Sequence, residues 1–312
     1  VTTTAVTGSS TATLDHRSPR NDGYCAISTP GRRRVAATPS AGRYPAEGGI
    51  DTSASATGRY RTHVEMVMGT AVTITIGTGA GDNQTDAALA EACRQLHRAD
   101  AVFSTWNPWS PMSRLRRGAA RLHDFDDVTA GQIAAVLELC WQIRQSTGGW
   151  FDPWAMTGGV DPTGLVKGWA IEQAAAVLDR LGLPAMVNGG GDIATCGTPT
   201  PSGHWRVGIR HPWRPDALAG VVAIGQRTRA VATSGAYERG AHFLDPRTRT
   251  RTLGAVASAT VTGEDLAVAD GLATAVAVGG KAALDIGMPP GYDVYVVGHG
   301  GDEYATADFP FV

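Results

Sequence analysis

The sequence predicts an α+β protein in which mixed β-sheets pack with helices, and three observations carry that prediction. Apolar residues alternate with period two over 62–77, as strand residues do. Apolar residues recur at helical spacing in several later stretches, among them 85–102 and the run opened by Thr129. Helical and extended segments then follow one another without a regular βαβ rhythm, which disfavours a doubly wound parallel sheet.

In chain order, residues 1–60 are rich in Thr, Ser, Ala, Gly, Pro and Arg and have almost no hydrophobic periodicity. They read as a disordered N-terminal extension, with the folded domain over 61–312. Val64, Met66 and Met68, then Val72, Ile74 and Ile76, form two alternating runs separated by Gly69. Leu89, Cys93, Leu96, Ala99 and Val102 predict a helix over 85–102 capped by Thr85 or Asp86. "FSTWNPWSPMSRLRRG" (103–118) reads as an aromatic, proline-bearing loop. Thr129 opens a second helix with Ile133, Val136, Leu137, Cys140 and Ile143 inward, and "TGG" ends it. A third helix is expected from Lys167 to Gly182, then a short strand and glycine turn in "AMVNGGGDIATCG". Strands follow around "WRVGIRHP", "AGVVAIG" and "TRAVATSG", then an apolar helix in "EDLAVADGLATAVAVGG" and a hairpin in "YDVYVVGHGGDEYATA".

The chain has 312 residues, 43% of them hydrophobic and 18% charged, with a net charge of −2. That describes a globular protein with a substantial core and excludes a general binder of nucleic acid. No stretch reaches the roughly 18 apolar residues of a membrane span. No signal peptide or lipid-attachment cysteine is recognisable, so a cytoplasmic location is the default expectation. Cys25, Cys93, Cys140 and Cys196 are widely spaced, without a CxxC pair. Buried thiols are therefore expected rather than a disulfide framework or a zinc site. Lys167 and Lys281 are the only lysines.

Asp270 and Thr274 stand four residues apart in that apolar helix, on one face and one turn apart. A carboxylate and a hydroxyl there are hard oxygen donors of the kind Mg²⁺ takes. The plainer reading has Thr274 bonding back to the Asp270 carbonyl, with Asp270 as a cap or in solvent. Asp161 precedes Lys167 across a glycine turn, and a lysine at a helix N-terminus can meet phosphate or merely snorkel. "VNGGGD" (187–192) is neither GxGxxG nor a P-loop, so dinucleotide-fold and Walker readings fail. Residues 232–250 gather Thr233, Ser234, His242, Asp245 and Arg247 without a GxSxG elbow or an HxxxH pair. "GGWFDPW" (148–154) is a set of ligand-contacting aromatics or a core plug.

Taken in order, "MGTAVTITI", "FSTWNPWSPMSRL", "GGWFDP", "DPTGLVKGWAIEQAAAVLDRLG", "VNGGGDIATCG", "WRVGIRHP", "AVATSGAYERG", "HFLDPRT" and "ADGLATAVAVGG" resemble the FAD:protein FMN transferase (ApbE) family, from Val64 to Leu284. The resemblance implies an ApbE-like, T-fold-like architecture. It also implies Mg²⁺-dependent transfer of FMN from FAD to a threonine or serine hydroxyl of an acceptor flavoprotein, with AMP leaving. The acceptor would carry a Ser/Thr-Gly-Ala-Ser/Thr-like motif. By the same resemblance Met68, Trp106, Trp150, Phe151, Asp152, Asp161, Lys167 and Leu244 match FAD-contacting positions. The Gly164 carbonyl, Asp270 and Thr274 match magnesium ligands, and His242 matches the family's "HIIDP" histidine, a candidate catalytic base. Trp106, Trp150 and Phe151 would offer flat surfaces for stacking.

The chain departs from the family pattern at Ala236, where "TSGDYER" has aspartate, and at Arg249, where "DPRTG" has glycine. Arg249 takes a positive φ less cheaply than glycine, so a different turn is expected there. Two further functions use the same residues: a Mg²⁺-dependent FAD pyrophosphatase giving FMN and AMP, and a non-catalytic FAD-binding or carrier protein.

Overall fold

The computed structural model describes residues 24–27, 60–77, 82–197, 203–225, 228–237 and 240–312. Within the first sixty residues, the backbone of β1 (Tyr24–Ile27) is extended. The rest of the expected N-terminal extension, apart from Tyr60, lies outside the described residues. The chain then runs β2 (Tyr60–Val67), β3 (Thr70–Gly77), α1 (Asp82–Phe103), α2 (Pro111–Arg116), α3 (Asp127–Ser146) and α4 (Thr163–Arg180). Next come β4 (Ala185–Gly189), β5 (Asp192–Cys196), β6 (Trp205–His211), β7 (Arg214–Ile224) and β8 (Ala230–Gly235). The last part holds β9 (Phe243–Asp245), β10 (Thr250–Thr252), β11 (Ser258–Gly263), α5 (Leu266–Gly279), α6 (Lys281–Leu284), β12 (Asp293–Val297) and β13 (Glu303–Thr306).

Among the described residues, nine strands form one antiparallel sheet in the order β1-β13-β12-β11-β8-β5-β4-β3-β2, with β6–β7 and β9–β10 as separate hairpins. The α+β expectation therefore holds. Helices α1, α3, α4 and α5 share one large core with one face of the sheet. The β6–β7 hairpin, with Tyr295 and Phe309, closes part of the other face through Trp205, Val207, Val222 and Ile224.

Most predicted elements are present, and the differences have local causes. α1 begins at Asp82, so Thr85 and Asp86 sit inside the helix rather than capping it, and Asp86 pairs with Arg61. The 103–118 segment is not all loop. Ser110 accepts from the Ser113 amide at 3.0 Å and Pro111 follows, a cap and N1 proline that start α2. Asp126 accepts from the Thr129 amide, so α3 starts before Thr129. Asp161 accepts from both the amide and hydroxyl of Thr163, so α4 begins at Thr163 and Lys167 lies a turn inside it. "AMVNGGGDIATCG" holds two strands, because Gly190 and Gly191 (φ 63° and 94°) make the tight turn between β4 and β5.

β2 shows a reversal of its own. Val72, Ile74 and Ile76 of β3 are buried as expected, but Val64 and Met66 are exposed. The face of β2 turned toward α1 carries His63 and Glu65 instead, and the His97 ring of α1 meets Glu65 across the gap. Cys140 is buried as expected, whereas Cys93 is half-buried, and both are free thiols.

α5 is the most enclosed helix: every residue except Val268 and Thr274 is buried. α4 can lie directly against it because of Gly168. A Cβ at Gly168 would stand 2.7 Å from the Leu266 carbonyl oxygen and 3.0 Å from Asp270 Cβ. On the far side, Gly271 gives the same room to Ile143 of α3. Gly168→Ala is expected to cost about 1–3 kcal/mol through this overpacking, read as a lowered urea midpoint with unchanged slope.

At the start of α5, Glu172 of α4 accepts from the Ala267 amide at 3.3 Å. Burial, with the negative charges of Asp265 and Glu264 nearby, raises its pKa to about 7. A carboxyl raised in the folded state favours folding below its unfolded value and loses that advantage as pH climbs through the folded one. Glu172→Gln should thus match the parent near pH 4 and exceed it at pH 8 by on the order of 1–3 kcal/mol in urea unfolding.

Candidate active site at the α4–α5 crossing

Asp270 answers the question of a carboxylate in an apolar helix. It is buried, and its Oδ2 accepts from the Gly168 amide at 3.1 Å. The ordinary acceptor of that amide is the Gly164 carbonyl one turn back, so Asp270 competes for its hydrogen. Thr274 does not bond back along its own helix. Its hydroxyl faces the Gly164 carbonyl at 3.4 Å and Ser234 Oγ, from β8, also at 3.4 Å. The plainer readings of Asp270 as cap and Thr274 as back-bonder are both set aside by these contacts.

A second carboxylate joins them. Asp192, at the start of β5, is fully buried. It is ion-paired with Lys167 and accepts from the Thr233 amide at 3.2 Å. Lys167 is thus neither a helix-end nor a snorkelling lysine. Burial first, then the negative charge of Asp192, hold the Asp270 carboxyl well above the usual range. The Lys167 charge and the Gly168 amide pull the other way. Asp192 was not among the residues singled out from sequence. Its signal was the same as that of Asp270: one carboxylate in a strand, "DIATC", whose every residue is buried.

The donor set fits a hard divalent cation. The Thr274 hydroxyl stands 3.4 Å from the Gly164 carbonyl and from Ser234 Oγ, near the roughly 2.9 Å between adjacent oxygens of a magnesium shell, and the Asp270 carboxylate lies at the Gly168 amide one turn on. The same burial that favours a proton on Asp270 would favour a metal cation in that proton's place.

The remaining candidates divide. Phe151 packs against the site, its ring edge 3.0 Å from where a Gly164 Cβ would stand, so an alanine there would have to push the ring back by a few tenths of an ångström. Asp161 pairs with Arg116 at 2.9 Å, and its amide donates to the Pro153 carbonyl. Asp152 binds Arg144 at 2.8 Å and caps the turn at Trp154. Both acids hold the 150–163 segment in place beside α4. Trp150 and Phe151 do not offer open faces. Trp150 is packed on Gly279, where a Cβ would lie 2.4 Å from its ring, and the Arg247 guanidinium stands 3.7 Å from its centroid. The Trp150 Nε1–H is buried with no partner among the described residues. Of the three expected stacking aromatics, Trp106 is the exposed one, at 96%.

Met68, Trp106 and His242 make no hydrogen bond to the Asp270–Thr274 cluster among the described residues. Met68 occupies the β2–β3 turn at φ 53°, a conformation costly for a side chain of its size, and its amide donates to Asp100 at 3.3 Å. His242 stacks on Phe243 and places Nδ1 2.9 Å from the Gly240 carbonyl. A carbonyl only accepts, so Nδ1 carries the hydrogen and Nε2 of the neutral ring keeps its lone pair. Leu244 follows in β9, half-buried and paired with Arg251. Arg249 takes φ 58°, its amide bonded to the Asp245 carbonyl at 2.7 Å, so the glycine-type turn is kept rather than replaced. Ala236 is half-buried against the core.

Removing one partner of the Lys167–Asp192 pair leaves a buried charge uncompensated. Lys167→Met is expected to cost about 3–5 kcal/mol, and adding Asp192→Asn should recover part of that loss. A double-mutant cycle in urea measures the coupling; additive losses would mean the pair is not coupled.

Comparison with known proteins bears on the fold and the family. The ApbE family model matches residues 68–158 and 155–288. An FAD:protein FMN transferase of Vibrio cholerae is 31% identical over 167 residues, 49% of this chain and 50% of that protein. Another, from Rhodobacter capsulatus, is 36% identical over 124 residues, 37% of this chain and 23% of that protein. The alignments thus span about half the length of the first relative and under a quarter of the second. In solved structures, the flavin transferase ApbE of Vibrio cholerae superposes with TM-score 0.68 at 21% identity, covering 82% of this chain and all of that one. The ApbE protein of Thermotoga maritima gives 0.65 at 21% identity, covering 78% and 96%. The structures speak for the fold, and the family model spans well over half of the chain: this protein belongs to the ApbE family.

Proposed function

We propose that this protein transfers FMN from FAD to a threonine or serine hydroxyl of an acceptor protein, releasing AMP. The observation that carries the reading is the convergence of Asp270, Thr274 and the Gly164 carbonyl beside the Lys167–Asp192 pair. Asp270, Thr274 and the Gly164 carbonyl would hold Mg²⁺, whose charge offsets that of the pyrophosphate. Lys167 contributes a fixed cation whose position Asp192 sets, which makes Asp192 a positioning residue. His242, with Nδ1–H committed to Gly240, has Nε2 available as the base.

The chemistry balances with these parts. The acceptor Oγ attacks the FMN-side phosphorus and forms the new P–O ester bond. The bond from that phosphorus to the bridging oxygen breaks, AMP leaves with the oxygen, and the Oγ proton passes to His242 Nε2. The acceptor expected is a flavoprotein segment with the Ser/Thr-Gly-Ala-Ser/Thr-like pattern. Among the described residues no helix is long and apolar enough to cross a membrane.

The test is intact-mass spectrometry of an acceptor carrying that motif, incubated with the protein, FAD and Mg²⁺, alongside quantitation of AMP. A covalent FMN-sized gain with equimolar AMP is expected. His242→Gln should slow it by about 10²–10⁴-fold with FAD affinity little changed. Asp270→Ala should abolish it and the response to Mg²⁺. FMN and AMP free in solution would instead assign the pyrophosphatase, and FAD bound but unchanged would assign the carrier.

A further inference from the structure

The β2 strand turns its polar side chains inward, and that reversal has a chemical pattern. His63 and Glu65 stand two residues apart on one face of the strand, and Cys93 and His97 stand four apart on one face of α1. His63 Nε2 lies 3.0 Å from Glu65 Oε2, and His97 Nε2 lies 2.9 Å from Glu65 Oε1. Ligand atoms of His63, Glu65 and Cys93 all fall within 4.8 Å of one another. A strand that exposes Val64 and Met66 while directing a histidine and a glutamate at a helix breaks the ordinary pattern, and such breaks mark functional positions.

We propose that His63, Glu65 and Cys93 bind a zinc ion, with His97 holding the second oxygen of Glu65 and a water completing the tetrahedron. Imidazole, carboxylate and thiolate are the donors zinc takes together, and edges of a tetrahedral zinc shell run about 3.3–3.6 Å, so small side-chain rotations close the site. Coordination replaces the Cys93 S–H bond with an S–Zn bond and releases the proton to solvent. One carboxylate and one thiolate then neutralise Zn²⁺, which suits a half-buried place. Without metal, hydrogen bonds from His63 and His97 hold the Glu65 carboxyl down at about 2, and burial with the nearby Glu65 pushes the Cys93 thiol up to about 11.

The site ties the outermost strand of the sheet, β2, to α1. Further along the same strand and helix, the Met68 amide donates to Asp100. A metal here therefore also braces the strained Met68 turn. It is separate from the oxygen-donor site on α5: no residue is shared, and its thiolate selects a softer ion.

Cobalt is the probe. The full chain, stripped with chelator, is titrated with Co²⁺ and followed by absorption. One equivalent should produce a near-ultraviolet thiolate-to-cobalt charge-transfer band that Zn²⁺ displaces. The band should vanish in Cys93→Ser, persist in Asp270→Asn, and need at least about tenfold more Co²⁺ in His97→Ala. Circular dichroism confirms that each variant is folded, and Glu65→Gln, which should weaken binding similarly, serves where Cys93→Ser does not fold. No band in the folded parent, or one retained in Cys93→Ser or lost in Asp270→Asn, overturns the proposal.

Discussion

The close crossing of α4 on α5 at Gly168 is the constraint on which the rest depends. Without a side chain at Gly168 the helices approach until the Asp270 carboxylate reaches the Gly168 amide. The same approach sets the Thr274 hydroxyl opposite the Gly164 carbonyl, one turn earlier on α4. Burial makes the arrangement electrostatically demanding. Asp270 and Asp192 are both enclosed, and one lysine answers them. Burial and the neighbouring Asp192 charge favour a proton on Asp270, and in the proposed function a divalent cation takes the place of that proton.

The sheet supplies what the helices cannot. Neighbouring strands β5 and β8 bring Asp192 to the Thr233 amide and Ser234 to Thr274. Behind them Thr233 and Thr260 hydroxyls pair at 2.9 Å, so the polar groups of this layer satisfy one another. Loops then close in around the rigid centre. The 150–163 segment is pinned by Arg144–Asp152 and Arg116–Asp161, and the β9–β10 hairpin lays Arg247 over Trp150. Met68 and Arg249 both hold positive φ, which is backbone strain kept where the chain turns beside candidate binding residues.

Much of this was legible in the sequence, and what was not follows a pattern. The helix bearing Asp270 and Thr274 showed itself by local spacing, as did the inward face of α3, because period and caps are local properties. Asp192 is not legible in the sequence because its partner Lys167 comes from a different element and only the fold makes them neighbours. The apolar pattern puts Lys167 at a helix end, whereas Asp161, through Thr163, starts α4 a turn earlier. Trp150 was expected to present a face, but Gly279 and Arg247, both distant in sequence, cover it. In β2 the alternation was real but its orientation was reversed, since period two does not say which face meets the core.

The proposed function stands on a divalent cation seated by Asp270, Thr274 and the Gly164 carbonyl. The most direct measurement is an anomalous difference map from crystals of the protein soaked with Mn²⁺, collected at the manganese edge. A peak bounded by the Asp270 carboxylate, the Thr274 hydroxyl and the Gly164 carbonyl is expected, absent from Asp270→Ala crystals. Crystals that bind Mn²⁺ elsewhere, with Asp270 still bonded only to Gly168 and its neighbouring acid, would contradict it.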